Sequence, residues 1–208
     1  AMNAVLQHYG GADGDHLITT ATIAQSFMLV VTMPLGGISG GTQSILGFNY
    51  GARRADRVLQ AQKLIALLCV GYTALMTLAA WTVSPLFIRL FTTDAPLQAE
   101  AFRAIKICTL AIVPLGVQYA IVDGFTAIGQ VQLSLPLSFF RKAVYFAAVF
   151  GLPAALRAPM GFFAEPVSDI LGPLASAVVY LLCIRRILRR RMESGAVGDK
   201  GEAQPAGG

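Results

Sequence analysis

A single carboxylate, Asp123, stands in the run IVPLGVQYAIVDGFTAIG, Ile112 to Gly129, which carries no other charge. An unpaired carboxylate is costly away from water, so its oxygens readily hold a proton or a cation. Tyr119 lies four residues earlier, on the same face of a helix, and Gln118 lies about one turn away. A carboxylate, a phenol and an amide among apolar walls are groups with which an ion-coupled carrier binds and releases H+ or Na+. A second reading stands beside this one. Gly129 ends the helix about 9 Å beyond Asp123, near enough for the carboxylate to reach water or a basic side chain at the inner membrane surface.

Other polar groups interrupt the apolar stretches. Arg141 and Lys142, in SLPLSFFRKAVYFAAVF, read in two ways. They are counter-charges for Asp123, or Lys142 snorkels to the inner surface while Arg141 takes a buried hydrogen-bonding role. Glu165 and Asp169, in FFAEPVSDILGP, are four apart and share a helical face near the outer entrance of the last helix. There they either complement the helix dipole or form an outer vestibule that attracts cations. Gln43, Ser44, Asn49 and Tyr50 supply hydrogen-bonding groups without charge and read as structural.

Enzymatic chemistry is not expected. His8 and His16 fall in an outer loop, no Ser/His/Asp or Cys/His set assembles on one face, and no Gly-Lys-Ser/Thr phosphate loop occurs. Cys69, Cys108 and Cys183 are odd in number, lie in apolar runs and read as packing residues, so neither a metal nor a cofactor is implied beyond a coupling ion.

The elements that must position these groups are membrane helices. The chain of 208 residues is 55% hydrophobic, with a mean hydropathy of +0.64. Leu17 to Ala52 and Leu64 to Ile88 contain no Asp, Glu, Lys or Arg, and each exceeds the roughly 20 residues that cross a bilayer. They are apolar all round, not alternating, which excludes a barrel. The fold class is therefore all-α, a polytopic bundle with five predicted spans over about 17–49, 59–88, 99–128, 132–156 and 163–187. Residues 1–190 form one helical lobe, and 191–208, small, polar and rich in Pro and Gly, form a cytoplasmic tail expected to be disordered.

The first span is long for a straight crossing and contains Pro34, so a bend is expected among Pro34, Gly36, Gly37, Gly40 and Gly41. The pairs Gly36/Gly40 and Gly37/Gly41 are GxxxG patterns that let a neighbouring helix approach. Arg53, Arg54 and Arg57 in one loop and the run RRILRRR in the tail carry most of the basic excess, which places both in the cytoplasm and residues 1–16 outside. The net charge of +5 is thereby met by anionic lipid, with no nucleic acid implied. An odd number of spans beginning outside is natural if a further helix precedes Ala1.

MNAVLQHYGG, MPLGGISGGTQSILGFNYGARRADRV, FTAIGQVQLSLPLSFFRK and GFFAEPVSDIL together resemble the carboxyl-terminal half of the multidrug and toxic compound extrusion (MATE) family of efflux antiporters. The run from Pro34 through Gly36, Gly40 and Gln43 to Asn49, Tyr50, Gly51 and Ala52 carries most of the likeness. The resemblance implies twelve helices in two six-helix lobes around a cleft, with both termini cytoplasmic. This chain would supply the last five helices, residues 1–9 being the outer end of the seventh. It also implies expulsion of organic cations and drugs across the plasma membrane in exchange for H+ or Na+, with an amino-terminal lobe as partner. Asp123 as coupling residue rests on the reading of the residues and not on the family. Two alternatives remain: a lipid-linked oligosaccharide or polysaccharide flippase, which would want a basic cavity, and a non-transporting membrane fragment.

Overall fold

The computed structural model describes residues 2, 5, 6, 14–155 and 158–202. Among these the regular structure is helical throughout. In chain order the helices are α1 (Gly14–Gly41), α2 (Gln43–Gly51), α3 (Ala55–Thr82), α4 (Ser84–Ile88), α5 (Ala95–Cys108), α6 (Ile112–Ala127) and α7 (Val131–Ala155); a 3-10 segment (Ala158–Phe163) then leads into α8 (Ala164–Glu202). Gly14–Gly51, Ala55–Thr82, Val131–Ala155 and Met160–Glu193 are long and apolar enough to cross a membrane, and the bent pair α5–α6 counts as a fifth span. Leu64, Leu67, Leu68, Leu75 and Leu78 of α3 point outward, as they do where lipid is the solvent. The chain is an integral membrane bundle.

The breaks in the helices follow the backbone chemistry of single residues. The third predicted span, expected to be continuous, is two helices meeting at 46° around Thr109–Ala111. Pro114 has no N–H to offer the Leu110 carbonyl, and the Thr109 hydroxyl turns back onto the Ile105 carbonyl at 2.8 Å, so the ladder lapses there. The second span likewise ends at Thr82, and Pro85 opens the short α4. In the first span the helix runs through Pro34 and is interrupted later, at Thr42, directly after Gly40 and Gly41. The turn that Pro34 disturbs is steadied from outside it: the Tyr72 hydroxyl of α3 donates to the Val31 carbonyl at 3.1 Å. The Thr42 hydroxyl caps the freed carbonyls of Ile38 and Ser39, each at 2.9 Å.

At the end of α6, Gly129 takes φ 75°, and the Gln130 N–H reaches back to the Phe125 carbonyl at 2.8 Å. This left-handed cap is where glycine was expected to stop the helix. Arg53 closes α2 in the same way at φ 57°, with Arg54 N–H on Asn49 O at 2.9 Å. The last helix continues to Glu202, into the stretch expected to lack regular structure. An i,i+4 pair, Arg189 with Glu193 at 2.7 Å, spans that junction.

The close-approach glycines are not those the GxxxG pattern singled out. Within this chain a side chain at Gly37, Gly40 or Gly41 would meet nothing within 4 Å, and one at Gly36 only Tyr119 at 3.8 Å. The tight seam is instead between α3 and α6, where Gly116, Ala120 and Gly124 repeat at intervals of four. A Cβ on Gly116 would come within 2.8 Å of Thr73 Oγ1 and 3.0 Å of the Cys69 carbonyl. The Gln62 amide crosses the seam to the Ala120 carbonyl at 2.7 Å, over Gly124. Because the Cys69 carbonyl belongs to a helix backbone and cannot turn aside, Gly116→Ala should cost about 1–3 kcal/mol. A lowered midpoint of thermal unfolding in detergent would register it, and an unchanged midpoint would mean that the seam is looser than described.

Tyr50, Arg53, Arg54, Leu188 and Arg191 gather at one end, with the Arg191 guanidinium 5.5 Å from the Tyr50 ring centroid. Elsewhere His16 lies 3.1 Å from Glu100 and 3.7 Å from Asp94, joining the start of α1 to the approach to α5. His8 and most of residues 1–9 lie outside the described residues.

Candidate functional site

Two adjoining cavities border α6 and α7. The larger, about 550 Å³, is bounded by α1, α6, α7 and α8 and is lined in part by Gln25, Tyr119, Arg141, Lys142, Glu165 and Asp169. The smaller, about 240 Å³, is lined by Gln118, Tyr119, Asp123, Ser138, Arg141 and Lys142 with Val122. Tyr119, Arg141 and Lys142 belong to both walls and form the partition between them.

Asp123 and Tyr119 are brought together as their spacing requires, one helical turn apart on the wall of the smaller cavity. The Ser39 hydroxyl of α1 donates to Asp123 Oδ2. No ion pair among the described residues includes Asp123. The carboxylate is thus half-buried against a neutral donor and a cavity, not spent on a basic side chain. Gln118 sits deeper: it is buried, its Nε2 points to the Leu137 carbonyl at 3.5 Å, and its Oε1 has no hydrogen-bond partner.

Arg141 does not pair with Asp123. Its Nη1 donates to Asp169 Oδ1 at 3.0 Å, and the two side chains are 18% and 0% exposed. Asp169 is therefore not a first-turn cap. It is the sixth residue of α8, past the first turn, and lies against α7. Ser168 adds a donor at 3.3 Å to the same Oδ1, while Asp169 Oδ2 is buried without a partner. Burial draws the pair together because either charge alone would lose water with nothing in return. The close contact of α7 and α8 depends on Gly172, where a Cβ would meet Gln118 Oε1 at 2.6 Å and Arg141 Cγ at 2.9 Å. Glu165 shares the helical face with Asp169, and both line the larger cavity. Lys142 is exposed yet borders both cavities.

The uncharged group in the first span is not part of this site. Gln43, Asn49 and Tyr50 line neither cavity. Asn49 bonds its own helix, at the Ile45 carbonyl, 2.8 Å away, and Tyr50 packs beneath Arg191. The residue that sequence reasoning missed is Ser39. A serine three residues after Gly36 in a helix carries no signal of its own, and only the crossing of α1 over α6 makes it a partner for a carboxylate 84 positions away.

The arrangement can bind a cation between helices and release it, since its carboxylates face cavities and only one is tied to a counter-charge. Solved structures share the fold. An inward-facing multidrug resistance MATE family transporter of the MOP superfamily superposes with a TM-score of 0.81 at 16% identity, covering 90% of this chain and 43% of that one. For the Vibrio cholerae MATE transporter VcmN in the bent form the values are 0.72, 16%, 85% and 40%. A Pyrococcus furiosus MOP superfamily transporter, described as having a binding pocket of reverse polarity that suggests a different function, gives 0.78, 17%, 89% and 42%. This chain thus spans about two fifths of the length of the structures it matches. Among curated proteins none matches by sequence. The sequence model of the MatE family matches residues 1–152, most of the chain, Ser39, Asp123 and Arg141 included, so the chain belongs to the MatE family of membrane transporters.

Proposed function

We propose that this chain is one lobe, residues 1–190, of a secondary active multidrug efflux transporter that exports organic cations in exchange for protons or sodium. The observation that carries the reading is Asp123, held by Ser39 on the wall of a cavity between membrane helices with no basic partner among the described residues. A carboxylate so placed is repaid by an exchangeable cation. The open glycine face of α1 is where an amino-terminal lobe packs to complete the cleft. The cluster of Arg53, Arg54 and Arg191 faces the cytoplasm, with the carboxyl terminus on the same side of the plasma membrane.

A flippase for lipid-linked saccharides needs a cavity dominated by positive charge to hold a diphosphate. Here Arg141 and Lys142 face Asp123, Glu165 and Asp169, so the balance is acidic and efflux of cations is favoured. Cells making the complete protein should accumulate less of a cationic dye than cells without it, and collapse of the proton and sodium gradients should abolish the difference. Equal accumulation of several chemically distinct cations in the two cell types would sink the reading. An immunoblot against the tail should show a band about twice the 22.0 kDa of these residues if one gene encodes both lobes.

A further inference from the structure

The two cavities are charged as one unit. Three carboxylates, Asp123, Glu165 and Asp169, face two basic side chains, Arg141 and Lys142, leaving a surplus of one negative charge among the described lining residues.

Arg141 is the group able to move that balance from one cavity to the other. Its side chain lines both cavities, in the partition between them. It is tied to Asp169 by one hydrogen bond, although the geometry of the two groups permits a bidentate pair. Asp169 Oδ2 is left bare, so the pair is not closed. Tyr119 lines both cavities, with Arg141 in each, Glu165 and Asp169 in the larger and Asp123 in the smaller. Tyr145 and Lys142 also line the larger cavity, and the Cys108 thiol near Glu165 and Asp169 and the Cys69 thiol near Asp123 are further ionisable neighbours.

Resting on the efflux reading above, we propose that Arg141 is an exchangeable counter-charge between the cavities. It pairs with Asp169 while the larger cavity holds no cation. An organic cation bound against Glu165 and Asp169 takes its place and frees the guanidinium to cross the partition to Asp123, which expels the proton or sodium held there. The two cations then exclude each other without sharing a site, and Arg141 is a positioning residue for that exclusion.

The test uses the complete protein purified in detergent, with tritiated tetraphenylphosphonium as a probe whose charge does not change with pH. For the wild type, either acidification or added NaCl should raise the dissociation constant of the probe at least about fivefold. The variant R141Q/D169N, which removes both partners and keeps the surplus of one negative charge, should bind the probe more weakly, through Glu165 alone, and lose that dependence to within about twofold. R141K should keep it. Competition in R141Q/D169N equal to that of the wild type would overturn the exchange while leaving the efflux reading intact. A wild-type protein that neither binds nor transports the probe or any other cation would overturn both.

Discussion

Cells making the Asp123→Asn variant should retain as much cationic dye as cells lacking the protein, with the variant present in the membrane in normal amount. The amide has the size of the carboxylate and can still accept from Ser39, so the contact between α1 and α6 survives. What disappears is the charge that a proton or sodium ion neutralises. Without it the downhill ion has no differential affinity for the two orientations, and the gradient has nothing to act on. The expected loss of net efflux is complete or nearly so, while the thermal midpoint should move by no more than the equivalent of about 1 kcal/mol. Two readouts separate the alternatives. Normal efflux by Asp123→Asn would remove the residue from the mechanism, and a variant absent from the membrane would assign Asp123 a structural duty instead. Ser39→Ala should reduce efflux less, since it removes a donor and leaves the carboxylate.

The largest effect on stability should come from parting Arg141 and Asp169. Asp169 is wholly buried, and Arg141 is the basic group that reaches it among the described residues. Arg141→Leu leaves a carboxylate without water or counter-charge, at a cost of about 3–5 kcal/mol. The consequence is a sharply lowered unfolding temperature, or failure to accumulate in the membrane. Removing both charges in R141L/D169L should recover most of the loss, because a buried pair is worth little against apolar side chains of similar volume. The non-additivity of the double mutant is the signature of direct contact. Additive losses would mean that each residue is held by other partners. Gly172→Ala should act on the same junction more mildly, by pushing Gln118 and the Arg141 stem apart.

Much of the architecture was legible in the residues. Charge-free runs such as Leu17 to Ala52 admit only a membrane helix, since no other structure satisfies a backbone in lipid. Gly129 marked the end of α6 by its own conformational freedom, and the four-residue spacing of Tyr119 and Asp123 put them on one face before any fold was known. The breaks were less legible. Pro34 lies in a helix that continues to Gly41, with Tyr72 from α3 on a carbonyl beside it, while Pro114 did break a span expected to be continuous. A proline removes one donor wherever it stands; whether the helix yields depends on what a neighbouring helix supplies.

By itself the sequence determined what is local: the helical class, the membrane as solvent, the basic ends, and which carboxylates share a turn. Only the tertiary structure decided the pairings. Arg141 could serve Asp123 or take a buried hydrogen bond elsewhere as far as its position in the chain was concerned, and the packing of α7 on α8 gives it to Asp169. Ser39, unmarked in the sequence, becomes the donor to Asp123 through the crossing of α1 and α6, and the small-residue seam falls on Gly116 and Gly124, not on the glycines of α1. The physical reason is the same in each case. Periodicity and charge act over a single helix, whereas a counter-charge or a close approach is a property of two helices far apart in sequence, and the cost of leaving a buried charge unpaired is decided by which helices meet.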